Sequence, residues 1–254
     1  MSHTRMFRRP FALVGMFAAV AQCACVAVLA EGVQKLDEVE VVGSGRAVAS
    51  GADSANQGTV SQKQIEAQPN YRPGEILEAA PGLIVTQHSG EGKANQYFLR
   101  GFNLDHGTDF ATRVNGVPVN MPTHGHGQGY ADINFMIPEL ISAMTVRKGP
   151  YFADVGDFGS AGAVSIDYLR AMPQNLIEAT LGSFGYRRLV SAGSTKVGEG
   201  TLLAAFEANT YNGPWDVPDN VRKLNGVLRY SQGSATDGFT LTGMAYGNRW
   251  TSTD

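Results

Sequence analysis

The stretch that decides the fold is Tyr97–Tyr168, where short β-prone runs alternate with turns rich in glycine and proline. This alternation predicts a small mixed sheet with tight connections, because β-branched and aromatic residues favour strands and glycine and proline interrupt them. The predicted strands are Tyr97–Leu99, Phe110–Val114, Met144–Arg147 and Ala163–Tyr168. The motifs in this stretch are Tyr97-Phe98-Leu99-Arg100-Gly101-Phe102, Arg113-Val114-Asn115-Gly116-Val117-Pro118-Val119, Ile137-Pro138-Glu139, Arg147-Lys148-Gly149-Pro150 and Gly159-Ser160-Ala161-Gly162-Ala163-Val164.

The clearest local signal is Asn115-Gly116, which lies between Val114 and Val117. Both turn residues tolerate positive φ, so the pair predicts a two-residue hairpin. Before the stretch, a short helix is predicted around Arg72 to Ala80, since Pro73 suits the first turn of a helix. Pro81-Gly82 ends it, and Gly82–Val85 is predicted as a strand.

In order and spacing, the five motifs resemble the plug domain of TonB-dependent outer-membrane receptors. The resemblance implies an α+β plug over residues 57–168, with a small mixed sheet and short helices, and the first strands of a transmembrane antiparallel β-barrel over residues 169–254. A generic α+β domain would explain any one motif but not the whole set. The implied function is active transport, driven by TonB with its energising complex of ExbB and ExbD.

Residues 1–30 have the features of a secretory signal peptide, with Arg5, Arg8 and Arg9 preceding an apolar run from Phe11 to Ala30. A membrane anchor is the alternative, because the run approaches the roughly 20 residues that span a bilayer. Both cysteines lie in this leader, and its removal moves the net charge from −3 to about −6. A mildly acidic chain argues against a nucleic-acid partner.

Residues 31–56 are predicted as a flexible arm because they are rich in Val, Gly, Ser and Ala without a stable period. The segment 36–43 inside the arm alternates valines with acids, which suits pairing with the edge of another protein's sheet. It resembles a TonB box, although it can equally be the first strand of the domain. The predicted TonB-binding residues are Leu36, Asp37, Glu38, Val39, Glu40, Val41 and Val42.

After about Pro173 the sequence changes to longer segments in which apolar and polar residues alternate, typical of a barrel with a wet interior. Leu202, Ala204, Phe206 and Ala208 fall on one face, with Glu207 and Asn209 on the other, although the strands of a soluble sandwich alternate in the same way. We count four or five strands from Leu176, whereas a barrel that holds a plug needs about 22. The chain is therefore expected to be a fragment located in the outer membrane and in contact with its lipid.

Three basic residues are singled out in the plug motifs: Arg100, Arg147 and Lys148. The resemblance implies that such residues lie at the plug–barrel interface and pair with barrel carboxylates. The alternative is that these residues lie at a solvated sheet edge, where an ion pair contributes only about 0–1 kcal/mol to stability.

Four histidines lie outside the leader and are the candidate ligand-binding residues: His88, His106, His124 and His126. His124 and His126 are separated by one glycine, so their imidazoles can approach one metal ion. The alternative is that they only form hydrogen bonds. The resemblance directs attention to these loops because the family binds its substrates at the outward-facing plug loops.

The expected function is TonB-dependent uptake of a scarce ligand of the siderophore, metal-chelate, metal-ion or cobalamin class. No cofactor is required, although the transported ligand can be a metal or its chelate. No catalytic motif is present, and the protein is expected not to be an enzyme. The alternatives are a passive porin or adhesin, whose uptake would survive loss of Leu36–Val42, and a secreted metal-dependent enzyme.

Overall fold

The computed structural model of the chain describes residues 51–69, 71–87, 92–123 and 129–252. The predicted leader (1–30), the predicted TonB-binding segment (36–43), and His88, His124 and His126 lie outside the described residues. The strands are β1 (Gly51–Ser54), β2 (Gln57–Ser61), β3 (Leu83–Thr86), β4 (Gln96–Leu99), β5 (Phe102–Leu104), β6 (Phe110–Val114), β7 (Val117–Pro118), β8 (Ile141–Lys148), β9 (Gly162–Tyr168), β10 (Leu176–Leu181), β11 (Arg187–Val197), β12 (Gly200–Tyr211), β13 (Val221–Gly233) and β14 (Gly238–Arg249).

Six strands form a mixed sheet in the order β1-β2-β8-β9-β6-β7, in which only the β6–β9 pair is parallel. A second, three-stranded antiparallel sheet consists of β3, β4 and β5. The helical segments are short, as an α+β plug requires: α1 spans Gln62–Glu66, and 3₁₀ helices span Pro73–Ala79, Asp105–Gly107 and Pro138–Leu140. The predicted small mixed sheet is confirmed.

The helix predicted around Arg72 to Ala80 is the 3₁₀ helix Pro73–Ala79. Pro73 occupies its first turn, and Glu75 accepts a hydrogen bond from the backbone N–H of Arg72 (3.1 Å), which satisfies a donor that the helix leaves free. The predicted strand after it is β3, whose Leu83 is buried while Ile84 is exposed.

Strand β1 lies inside the range 31–56 that the sequence analysis assigned to the arm. It pairs with β2 through the turn at residues 55–56. The Ser54 hydroxyl accepts hydrogen bonds from the N–H groups of Asn56 (3.2 Å) and Gln57 (3.0 Å), a local bond that favours a turn. The sheet therefore begins at Gly51 rather than at residue 57.

Strands β10 to β14 form a five-stranded antiparallel sheet in sequence order. Its connections differ in length at the two ends. Residues 198–199 and 234–237 make short turns at one end, while residues 182–186 and 212–220 make longer loops at the other. We call these the turn end and the loop end. Short periplasmic turns and longer extracellular loops are the usual arrangement of outer-membrane barrels.

The alternation predicted for these strands is confirmed. Phe206, Leu224 and Leu228 are exposed on one face of the sheet, while Leu203 and Glu207 are buried on the other. We call these the outer and inner faces. The inner face packs on the mixed sheet, since Val190, Ala192, Leu203, Ala205 and Val227 join the same buried apolar cluster as Ile76, Phe110, Met144 and Ile166.

No helix within the described ranges combines the length and apolar character needed to cross a membrane.

The Asn115-Gly116 hairpin gives the first testable prediction. Its residues have φ values of 51° and 80°, and β6 pairs with β7 through Val114 and Val117, as predicted. A Cβ at Gly116 would meet no atom within 4 Å, so Gly116→Ala tests backbone conformation alone. We expect a loss of about 1 kcal/mol in unfolding free energy. Val117→Ala, at an exposed neighbour, should change it much less, and equal effects of the two would contradict the turn assignment.

Candidate functional site

A network of charged side chains joins the plug domain to the inner face of the strands. The Arg188 guanidinium donates two hydrogen bonds to the Glu139 carboxylate (2.5 and 2.9 Å) and a third, from Nε, to Glu207 (2.6 Å). Lys223 Nζ lies 3.1 Å from Glu207, and the Asn225 amide donates to the same carboxylate (2.7 Å). Two acids and two bases therefore neutralise one another in this network.

The local sequence explains how these side chains meet. Period-two alternation sends Arg188, Glu207 and Lys223 to the inner face, opposite the exposed Leu189, Phe206 and Leu224. Asn209 is the direct neighbour of both Arg188 and Lys223 across the ladder. Glu207 lies two residues before Asn209 on β12, which puts it within diagonal reach of both cations.

Glu139 reaches the network from the Ile137-Pro138-Glu139 motif. Pro138 fixes the first turn of the 3₁₀ helix Pro138–Leu140, and the Leu140 N–H closes it on the Ile137 carbonyl (3.0 Å). Glu207 is only 1% exposed and the Arg188 side chain 9%. Charges buried to this extent are stable only when paired, so plug and strands are complementary at this point.

A cavity of about 560 Å³ opens at the loop end. The plug contributes Tyr71, Arg72, Pro73 and Glu75, and the strands and their loops contribute Phe184, Tyr186, Tyr211, Trp215 and Lys223 among others. Tyr186 packs edge-on against both Tyr71 (6.2 Å between ring centroids) and Tyr211 (5.8 Å). Aromatic walls with a few polar groups are typical of small-molecule sites.

Lys223 belongs to both features, since it lines the cavity and pairs with Glu207. The path Lys223–Glu207–Arg188–Glu139 is a continuous chain of ion pairs from the cavity to the plug. A group that changes the partner of Lys223 thereby changes the charge balance at Glu139.

Two titratable groups of the plug, Asp132 and Tyr130, have raised pKa values. Burial raises the pKa of Asp132, an effect that hydrogen bonding from Asn134 and the charge of Lys223 partly offset. Burial also raises the pKa of Tyr130, whose hydroxyl accepts a hydrogen bond from the Ala94 N–H (2.8 Å). The plug therefore holds a carboxyl group that favours its protonated form more than an exposed aspartate does.

The predicted interface residues make their contacts within the plug. Arg100 donates to Asn56 Oδ1 (2.8 Å) and the Ala55 carbonyl (3.0 Å). Arg147 pairs with Asp154 (2.5 Å) and lies 4.9 Å above the Phe152 ring. Burial and nearby Arg100 lower the pKa of Lys148. Contact of these three residues with a barrel carboxylate stays a prediction, and the observed plug–strand ion pair has the opposite polarity, with the acid on the plug.

His106 lies in the plug interior and is 1% exposed. Its Nδ1 is 3.3 Å from the Ala94 carbonyl oxygen, and its ring is 5.4 Å from that of Tyr130. It does not line the cavity at the loop end. The ring is enclosed among its neighbours, and ligand contact by His106 stays a prediction. No group of three or more metal-binding side chains occurs among the described residues.

Glu139, Arg188 and Lys223 were not predicted as site residues from the sequence. The sequence does contain a signal for them, namely charged residues at inner positions of strands with period-two alternation, where a buried charge needs a partner. What the sequence lacks is the pairing of strands with the plug, which alone brings Glu139 to Arg188. The aromatic cavity residues were missed because they come from three separate segments of the chain.

Residues 47–163 match the family model described as TonB-dependent Receptor Plug Domain. Solved structures of similar fold include the copper transporter OprC (20% identity, TM-score 0.58, 80% of this chain and 32% of that chain). They also include a variant of the ferric enterobactin receptor PfeA from Pseudomonas aeruginosa (15%, 0.58, 77% and 33%) and the iron transporter FrpB from Neisseria meningitidis (15%, 0.56, 76% and 31%). The chain spans about a third of the length of these structures.

The fold and the matched domain define an outer-membrane receptor architecture of plug and barrel strands. Residues 47–163 are a plug domain of the TonB-dependent receptor type, as the motif resemblance implied, and the solved structures share the fold of plug and adjoining strands.

The ion network gives the second prediction. Glu139→Gln removes one carboxylate and leaves Arg188 and Lys223 to share Glu207, so we expect a loss of about 3 kcal/mol in the unfolding free energy, typical of a broken buried pair. The measurement is denaturant unfolding of the detergent-purified protein. The control is Asp154→Asn, which breaks the exposed pair with Arg147 and should leave the unfolding midpoint nearly unchanged. A midpoint for Glu139→Gln equal to that of the control would contradict the network's role.

Asp132 gives the third prediction. Because its folded-state pKa is raised above the ordinary 3.8, its protonated form favours the fold, and stability falls as the pH rises from below 3.8 through the raised value. Asp132→Asn keeps an oxygen acceptor for the Asn134 N–H (2.8 Å) but removes the titration. We expect its thermal midpoint to exceed that of the parent by a margin that grows with pH. Asp157→Asn, at an exposed position, should show no such trend, and a constant margin for Asp132→Asn would exclude the titration as the cause.

Proposed function

We propose that the protein acts in TonB-dependent active uptake of a scarce ligand across the bacterial outer membrane. The observation that carries this proposal is the cavity at the loop end, which plug and strands build together and which shares Lys223 with the ion network. A ligand in such a cavity contacts both the movable body and its wall, so binding can change how firmly the two are held.

The first step is ligand binding at the loop end. A negatively charged ligand competes with Glu207 for Lys223, which lies at the cavity wall. Without Lys223, Glu207 interacts more strongly with Arg188. The ion pair of Arg188 with Glu139 is weakened as a result. Binding thus weakens the plug–strand contact at Glu139, and a ligand shifts a conformational equilibrium only through such a difference in affinity between states.

The second step takes place at the periplasmic side. The segment Leu36–Val42 pairs with an edge strand of TonB by strand addition, in which main-chain hydrogen bonds supply the affinity. TonB, energised by ExbB and ExbD, then displaces part of the plug. Outer-membrane location, with lipid around the strands, is part of the proposal and is supported by the exposed apolar outer face.

The cavity favours an organic ligand with flat faces and acidic groups over a bare metal ion. Tyr71, Tyr186 and Tyr211 offer aromatic surfaces. Lys223 offers positive charge, as does Arg72, which is paired with Glu75 of the same lining (2.7 Å). A metal chelate of the siderophore class has this chemistry, and PfeA is a receptor for ferric enterobactin. Capture of a metal ion by His124 and His126 is the second candidate, since OprC is a copper transporter. Neither route requires a cofactor or a catalytic step.

The fourth prediction tests transport with two probes, radiolabelled ferric enterobactin and radiolabelled copper, in cells that express the full-length receptor. Val39→Pro with Val41→Pro removes two N–H donors needed for strand addition, and we expect binding to persist while uptake falls to background. Val39→Thr with Val41→Thr is the matched control, because threonine keeps the strand propensity. Unchanged uptake in the proline variant would favour the passive porin or adhesin.

The same cells test the cavity. Tyr186→Ala removes the ring that contacts Tyr71 and Tyr211, and we expect chelate binding to weaken about tenfold. The control is Tyr151→Ala, at a tyrosine of the plug that is 70% exposed and is not among the residues lining the cavity. If copper is taken up and the chelate is not, with Tyr186→Ala without effect, the chelate proposal fails and the histidine site is favoured.

A further inference from the structure

Three arginines lie in one row across the outer face of the five-stranded sheet. The ladder pairs Arg187 with Thr210, Thr210 with Arg222, and Arg222 with Arg249. Directly paired residues point to the same face of a sheet, so the three guanidinium groups share one side. The row is at the loop end, because the longer loops begin or end next to it.

These arginines are the only charged residues on the described outer face. From Ile177 to Arg249, the positions that share their face hold no aspartate and no glutamate. Arg222 and Arg249 are direct neighbours, and like charges opposite each other destabilise a sheet. An anion bound between them offsets this repulsion, and the face itself supplies none.

Below the row lies an apolar hollow of about 830 Å³. Small residues and leucines make up its apolar lining. The lining on the outer face comprises Ala179, Leu181, Leu189, Ala208, Leu224 and Gly247, and the three arginines border it. The surface is therefore amphipathic, with positive charge at the loop end and apolar side chains next to it.

The opposite end of the outer face has a different character. Tyr230 and Phe239 lie together there, 5.9 Å between centroids, and no arginine or lysine lies at this end of the described outer face. Aromatic residues of this kind sit at membrane interfaces. The positive charge is thus confined to the loop end, which faces the outer leaflet if the strands span the membrane as proposed above.

We propose that this surface binds a phosphate-bearing lipid of the outer leaflet. The guanidinium groups of Arg187, Arg222 and Arg249 hold the phosphates, and the acyl chains lie over Leu189 and Leu224. Guanidinium groups recognise phosphate with paired, charge-assisted hydrogen bonds, which a lysine does not reproduce. The inference rests on the proposed membrane location but not on the ligand or on TonB.

The test uses the full-length receptor in detergent and native mass spectrometry with three lipids: lipid A with two phosphates, its monophosphorylated form, and phosphatidylcholine. We expect the doubly phosphorylated lipid to bind best and phosphatidylcholine least. Arg222→Gln should weaken binding about fivefold, and the triple glutamine variant at 187, 222 and 249 about 100-fold. Lys196→Gln, an exposed basic residue at the turn end on the inner face, is the matched control and should bind as the parent does.

Two results would overturn the proposal: equal lipid binding by the parent and the triple variant, or displacement of the lipid by millimolar inorganic phosphate, which would indicate an anion site only. A triple lysine variant checks folding, since it keeps the charge and should bind with intermediate affinity. Cell fractionation separates the two hypotheses. A receptor that inserts and transports but shows no lipid preference contradicts this inference alone, whereas a receptor absent from the outer membrane contradicts the proposed function.

Discussion

The whole arrangement depends on the strict alternation of side chains along β10 to β14. One face must tolerate a hydrophobic surrounding and the other must match the plug, and a shift of register by one residue would exchange them. Arg188, Glu207 and Lys223 therefore sit where they can pair with each other and with Glu139, while Phe206 and Leu224 point away. Burial of the charges of Arg188, Glu207 and Lys223 is tolerated only because the same ladder fixes these residues next to one another.

The inner face contacts the plug in two ways, through apolar packing and through ion pairs. Val190 and Leu203 join the apolar core of the plug, which holds the two bodies together without direction, while the ion network adds a directional and reversible contact. An apolar interface of the same size would hold the plug as firmly, but no ligand could loosen it by charge. The network's path from Lys223 to Glu139 supplies a physical route between the cavity and the plug.

Much of the fold could be predicted because its signals are local. The Asn115-Gly116 turn, Pro73 at the start of its helix and the period-two segments each depend on neighbours in sequence. Strand β1 was not predicted, since it has little apolar character and joins the sheet by pairing with β2. The site was harder to predict from the sequence, because Glu139 and Arg188 are 49 residues apart and meet only through tertiary packing.

The residues singled out from the sequence show the same division. His106 was chosen for its chemistry, yet a side chain's chemistry does not tell whether it faces a loop or the core, and this one is buried beside Tyr130. Arg100 and Arg147 were chosen by motif position, and they stabilise loops of the plug itself through Asn56 and Asp154. A basic residue on the plug and an acid on the wall is one way to build a separable contact. An acid on the plug and an arginine on the wall satisfies the same electrostatics, and the pair of Glu139 with Arg188 is of this second kind.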